Sequence, residues 1–160
     1  MDAENNARPE GEAAAASKVR TPPYVAYRTA LTLLKEFKTN GIPPQVDRSV
    51  LRRFAGGMQN QLMMALRSLN LMDANNRPNE RLTKLVEAFE TAAFKAELNQ
   101  LLRETYPYVF ALDLKTATPA MFSDAFKSAV DAKEDVLRKC RTFFLHAAKD
   151  AEVPIGPRLA

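Results

Sequence analysis

The sequence predicts a mainly α protein built around a winged helix-turn-helix-like domain. Three features between Ile42 and Leu85 predict it: a short helical stretch ending at Gly56-Gly57, an amphipathic helix directly after that pair, and a polar turn before the next helix. The order helix, reversal, helix, hairpin loop, helix is the outline of that fold.

Met1 to Arg20 is rich in Ala, Glu and Asn and carries almost no large apolar side chain. Such a segment cannot offset the entropy of ordering, so residues 1–20 are predicted to form a disordered tail. Order should begin at Thr21-Pro22-Pro23-Tyr24. From there Val25, Thr29 and Leu33, with Ala30, Leu34 and Phe37 on a neighbouring row, give a helical period that stops at Asn40-Gly41.

Val46 and Asp47 open the next element. The Asp47 carboxylate is suited to cap free amides, and Val46 can close over Leu51 as a hydrophobic staple, so a helix is predicted from Arg48 to Ala55. Gly56-Gly57 should then supply the positive φ of a sharp reversal. A second helix opens near Met58, where Met58, Leu62, Ala65, Leu66 and Leu69 share one face and Gln59, Asn60, Met63, Met64 and Arg67 occupy the others. Asp73-Ala74-Asn75-Asn76-Arg77-Pro78 are turn formers and mark the wing. Glu80 to Thr105 carries the longest helical pattern. Its apolar phase shifts near Ala93, from Leu82, Leu85, Val86 and Phe89 to Phe94, Leu98, Leu101 and Leu102, which predicts a bend or a change of packing partner. Residues 21–105 form one winged helix-turn-helix-like unit with a long C-terminal helix.

Residues 106–160 read as a second helical unit packed on the first. Tyr106-Pro107-Tyr108-Val109 echoes Pro23-Tyr24-Val25, and Thr118-Pro119 is an N-cap and first-turn pair before Phe122 and Phe126. A last helix starts at Asp131 or Ala132 and turns Val136, Cys140, Phe143, Phe144 and Ala147 inward. The stretch from Asp135 to Leu145 can be laid beside Gln61 to Leu69. Two readings stay open: two degenerate helix-turn-helix units in tandem, or two amphipathic helices that match by chance.

Separated blocks of the chain also carry a resemblance. Ile42-Pro43 with Val46 to Leu51, Gln61 to Leu69, Leu112-Asp113-Leu114 with Thr116 to Pro119, and Thr142 to Lys149 occur in the order seen in a family of short bacterial and phage proteins known only as a domain of unknown function, numbered 5343. The chain resembles that family over most of Thr21 to Leu159. The resemblance implies a small all-helical or winged fold that is complete in itself. It transfers no functional residue.

The chemistry of most enzyme classes is missing. With 160 residues and 46% apolar composition the chain can build one compact domain or two small modules on a shared core. No window nears the roughly 18 apolar residues of a membrane span, and Ala13 to Ala16 is too short for a signal-peptide core, so a soluble cytoplasmic protein is expected. The lone Cys140 reads as a reduced, buried thiol. His146, the one histidine, follows six positions later and lies about 240° round the helix, so the two cannot share a metal. Neither a zinc-ligand spacing nor a phosphate-cradling glycine loop followed by Lys-Ser or Lys-Thr is present. One histidine on a presumed core-edge helix is a poor basis for a serine or cysteine nucleophile, and Glu134-Asp135 reads as charge complementing a helix dipole. A non-enzyme without cofactor or metal is expected.

What remains is basic. The formal charge is +4, and the first twenty residues hold three basic and four acidic side chains, so the rest is more positive by one. Between Ile42 and Arg81 there are six arginines and no lysine, against Asp47, Asp73 and Glu80. Arginine forks onto phosphates or guanine edges, and amides at the start of a recognition helix suit adenine edges. Arg48, Arg52, Arg53, Gln59, Asn60, Arg67, Asn76 and Arg77 are therefore the candidate contacts of a protein that binds double-stranded DNA, as a transcriptional regulator or an architectural factor. The alternative is that these arginines are a solvated face. In that case the fold serves as a protein-interaction or oligomerisation module, which the pair Met63-Met64 favours. Leu66 and Phe144 are each central to an apolar stripe, so replacing either by alanine should cost about 2 to 5 kcal/mol in urea unfolding. Near-neutral results at both would mean the helix phases are wrong.

Overall fold

A computed structural model of the chain describes residues 18–160. Most of the expected tail, residues 1–17, lies outside the described residues. Lys18 to Arg20 were expected to belong to it, yet they make specific contacts. The Val19 amide donates to the Ala129 carbonyl at 2.9 Å, Lys18 Nζ donates to the Ser128 carbonyl at 3.1 Å, and Arg20 Nη1 donates to the Arg67 carbonyl at 3.1 Å.

Among the described residues the fold is all α, with seven helices and two isolated β-bridges, Val19 with Val130 and Met72 with Pro78. Helix α1 spans Tyr27–Asn40 and buries Leu33, Leu34 and Phe37. Gly41, at φ 92°, ends it where a side chain would be strained, and its amide returns to the Phe37 carbonyl.

The expected helix from Arg48 to Ala55 is not α-helical. Asp47 does cap as predicted, accepting from the amides of Ser49 at 3.0 Å and Val50 at 3.3 Å. The backbone, however, closes only three-residue steps, Val50 to Asp47, Leu51 to Arg48 and Phe54 to Leu51. Of residues 48–55 only Leu51 is buried, and the tighter turn already buries it completely, so α-helical length would gain little packing to offset its nucleation. Gly56-Gly57 is likewise not the reversal. Neither glycine has positive φ, and both belong to the first turn of α2, Gly56–Ser68. The chain changes direction at Phe54-Ala55, where Gln59 Nε2 holds the Phe54 carbonyl at 2.8 Å.

Helix α2 buries Leu62, Ala65 and Leu66, and Leu69 follows just beyond its end. Asn70, at φ 55°, lets the Leu71 amide reach the Leu66 carbonyl at 2.8 Å and close the helix. A tight hairpin comes next. Met72 pairs with Pro78, and Asp73 Oδ1 accepts from the amides of Asn75 and Arg77 at 2.8 and 2.9 Å. Asn79 then caps α3, Glu80–Ala88, by accepting from the Leu82 amide.

The long pattern from Glu80 to Thr105 breaks where its phase shifts. Phe89 leaves helical geometry, Glu90 adopts φ 66°, and α4 starts afresh as Phe94–Thr105. Phe89 and Phe94 meet edge to face across the gap at 5.2 Å. A one-turn helix α5, Pro107–Phe110, unforeseen from sequence, precedes α6, Pro119–Ala129, whose Thr118 cap accepts from the Met121 amide. Helix α7, Glu134–Asp150, starts later than expected because Val130 is drawn into extended pairing with Val19.

One core joins both halves: α4 packs against α3, α5 and α7, and α1 packs against α3 and α7. Tyr106, Phe122, Phe126 and Phe144 form its aromatic centre, with Tyr106 and Phe144 at 4.9 Å. The C-terminal residues fold back on this core, burying Val153 and Leu159, and the Gly156 amide donates to the Leu114 carbonyl at 2.9 Å.

The glycines give a matched test. A Cβ on Gly156 would stand 1.9 Å from the Lys115 carbonyl oxygen, whereas one on Gly57 would meet nothing within 4 Å. Gly156→Ala should lose about 1 to 3 kcal/mol through overpacking. Gly57→Ala should leave stability unchanged or raise it by up to about 1 kcal/mol, since alanine is the better helix former. Thermal melts of both variants check this, and a destabilising Gly57→Ala would reinstate the sharp reversal at the pair.

Candidate nucleic-acid interface

The surface begins with the periodicity of α2. Its buried stripe leaves Asn60 and Met64 exposed, with Gly56 and Gly57 one turn earlier on the same side. The helix contains no acidic residue, and Ala55 offers no side-chain cap to its first-turn amides. Glycine there leaves open space above the backbone. The positive end of the α2 dipole therefore faces water uncovered.

The eight sequence-predicted residues divide into four groups. Arg48 is exposed on the turn and its Nη2 donates to Asn60 Oδ1 at 2.8 Å, so these two stand together beside the start of α2. Arg52 and Arg77 are exposed, and neither side chain has an ion-pair or hydrogen-bond partner among the described residues. Gln59, Arg67 and Asn76 are partly buried and engaged within the protein. Gln59 holds the Phe54 carbonyl, and Arg67 donates through Nε and Nη2 to Asn76 Oδ1 at 3.0 and 2.7 Å. Arg53 goes elsewhere, pairing with Glu36 of α1 at 3.0 Å.

Asn76 ties the surface together. Its carbonyl accepts from the Val46 amide at 2.9 Å, its amide donates to the Asp73 carbonyl at 3.0 Å, and its side chain receives Arg67. Gln45 Nε2 adds a bond to the Asn75 carbonyl at 2.9 Å. The strip before the turn, helix α2 and the hairpin are thus one unit. The nearby carboxylates are occupied: Asp47 is held below the usual carboxylate range by the Ser49 hydroxyl and then the Val50 amide, and Asp73 organises the hairpin.

Sequence reasoning missed a second basic feature. A groove of about 790 Å³ runs between the start of α1 and the outer face of α7, with Arg28, Arg138, Lys139, His146 and Lys149 along it and Gln61 of α2 in its wall. The exposed stripe Arg138, Thr142, His146, Lys149 could be read from helical spacing, but not its meeting with α1 and α2. Cys140 is buried. Burial pushes its thiol up to about 12, and its Sγ lies 3.6 Å from the Pro22 carbonyl oxygen. Among the described residues no cluster of His, Cys, Asp or Glu is arranged to hold a metal, and no helix is long and apolar enough to cross a membrane.

Because Arg67 ties α2 to the hairpin, Arg67→Ala should lower unfolding stability by about 1.5 to 3 kcal/mol, the range for a charged hydrogen bond. Arg67→Lys should recover only part of it, since lysine lacks the fork that reaches Asn76 through two nitrogens. Equal urea midpoints for wild type and Arg67→Ala would show that the link does not hold the hairpin.

No curated protein and no solved structure matches the chain. Residues 23–153 match a family of unknown function (DUF5343). The match covers most of the chain and spans both halves of the shared core, and the protein belongs to this family.

Proposed function

We propose that the protein binds double-stranded DNA through a winged helix-turn-helix-like unit, in which α2 is the recognition helix and the hairpin from Met72 to Pro78 is the wing. The observation that carries this reading is the fastening of turn, helix and hairpin through Asn76 around an acid-free helix whose N-terminus is uncapped. Arg52 and Arg77 contact phosphates from the two flanks, the open first turn of α2 accepts a third, and Asn60, steered by Arg48, reads a base edge. Arg67, Gln59 and Asn76 position the helix rather than read. Arg53, paired with Glu36, contributes little. In residues 106–160, α6 and α7 repeat the helix-turn-helix order without a hairpin, as a degenerate second unit. The role is cytoplasmic, as a regulator of transcription or an architectural factor.

Met64 supports the other use of the same face. It is 36% exposed, and the Tyr24 hydroxyl lies 3.8 Å from its sulfur, an adaptable apolar spot of the kind found at protein interfaces.

Fluorescence anisotropy over a salt series separates the two uses. Arg52→Ala and Arg77→Ala should each lower the slope of log affinity against log salt by about 0.9, whereas Asn60→Ala should change the ranking of duplex sequences more than the slope. A wild-type chain without affinity for any duplex at low salt, whose α2 face captures a second copy or another protein through Met64, would overturn the DNA reading.

A further inference from the structure

We propose that the groove between α1 and α7 is a second phosphate-contact surface, which holds the sugar-phosphate backbone of the same duplex beyond the stretch lying under α2. This rests on the reading of α2 given above.

Charge is the first reason. Arg28, Arg138, Lys139 and Lys149 line the groove, and no carboxylate does. Ion pairs do form elsewhere on the surface, as in Lys35 with Glu90, Lys95 with Glu152 and Arg141 with Glu134. Among the described residues none of the four groove cations has an ion-pair partner. Of the acids near the rim, Asp150 accepts from the Tyr27 hydroxyl at 2.6 Å, and Glu134, within electrostatic reach of Arg138, pairs with Arg141 at 2.8 Å. Four such cations in one concavity repel one another and concentrate the positive field, which an anion relieves.

Length is the second. Arg138 and Lys149 are eleven residues apart on one helix, about 16 Å at the α-helical rise. A duplex strand advances about 3.4 Å per phosphate along its axis, so the row matches several consecutive phosphates rather than one small anion. The groove is open along this length and floored by Tyr27 and Phe143, which meet edge to face at 5.5 Å and make a low-dielectric base beneath the charges.

Continuity is the third. Gln61 follows Asn60 on α2 and forms part of the groove wall, and Tyr24 of the same wall touches Met64 on the exposed face of α2. The two surfaces share an edge. A backbone leaving the α2 face across Met64 therefore enters the row on α7 without crossing an acidic strip.

The test uses the full chain carrying Arg138→Gln, Lys139→Gln and Lys149→Gln together. These side chains are exposed, so the fold should be retained, which a melting curve checks. With a mixed-sequence duplex, the salt slope should fall by about 0.9 for each phosphate no longer neutralised, two to three units in all, while the ranking of sequences stays as in wild type. A triple variant that keeps the wild-type slope while Arg52→Ala lowers it would overturn the groove and leave the α2 reading standing. A slope that depends on the groove but on neither Arg52 nor Arg77 would uphold the groove and overturn α2 as the primary face. If a poly-glutamate peptide binds wild type but not the triple variant, and duplex DNA does not displace it, the groove is a dock for acidic protein and the phosphate assignment is wrong.

Discussion

The candidate surface depends on one residue in an unusual conformation. Asn76 sits at φ 64°, a left-handed geometry that asparagine tolerates better than most side chains. That conformation lets its carbonyl meet the Val46 amide while its side chain meets Arg67, so one residue fastens the strip before the turn, the helix and the hairpin. A neutral hydrogen bond contributes about 0.5 to 1.5 kcal/mol and a charged one about 1.5 to 3. The geometric consequence matters more. Without the link the hairpin would hang on α2 only through Asn70 and Leu71, and Arg77 would lose its fixed distance from Asn60.

A second constraint is the common core. Phe144 is fully buried beside Tyr106, Phe122 and Phe126, while Phe143 on the same helix packs against Tyr27 of α1. Helix α7 therefore belongs to both halves at once. Tyr27 also donates to Asp150, and burial together with that carboxylate keeps the phenol protonated well above its ordinary range. Tyr27, at the start of α1, is thus fastened to α7 at Phe143 and at Asp150, which fixes that end of the groove, and residues 106–160 share one core with the rest of the domain.

Elements defined by their own periodicity were legible in the sequence. The stripes of α1 and α2, the Gly41 stop, the Thr118 cap and the inward Cys140, Phe143 and Phe144 all follow from spacing and capping chemistry. What failed had its cause elsewhere in the chain. Leu51 is buried through a tight turn because the surroundings reward burial more than α-helical length, and Val130 is drawn out to Val19 over a hundred positions away. At the site, Asn60 and Arg52 were legible as exposed polar groups. The capture of Arg67 by Asn76 and of Arg53 by Glu36 was not, since a cation's partner depends on tertiary distance and not on sequence spacing. The groove escaped for the same reason, being assembled from three separate helices.

Hydrogen–deuterium exchange of the full chain, with and without a short duplex, probes the α2 surface without any mutation, because it reports which amides the ligand covers. If turn, helix and hairpin act as one DNA-binding unit, exchange slows in two places together, the first turn of α2 from Gly57 to Asn60 and the hairpin from Asn75 to Arg77. Unchanged exchange at both, under conditions where the duplex is bound, would contradict that reading.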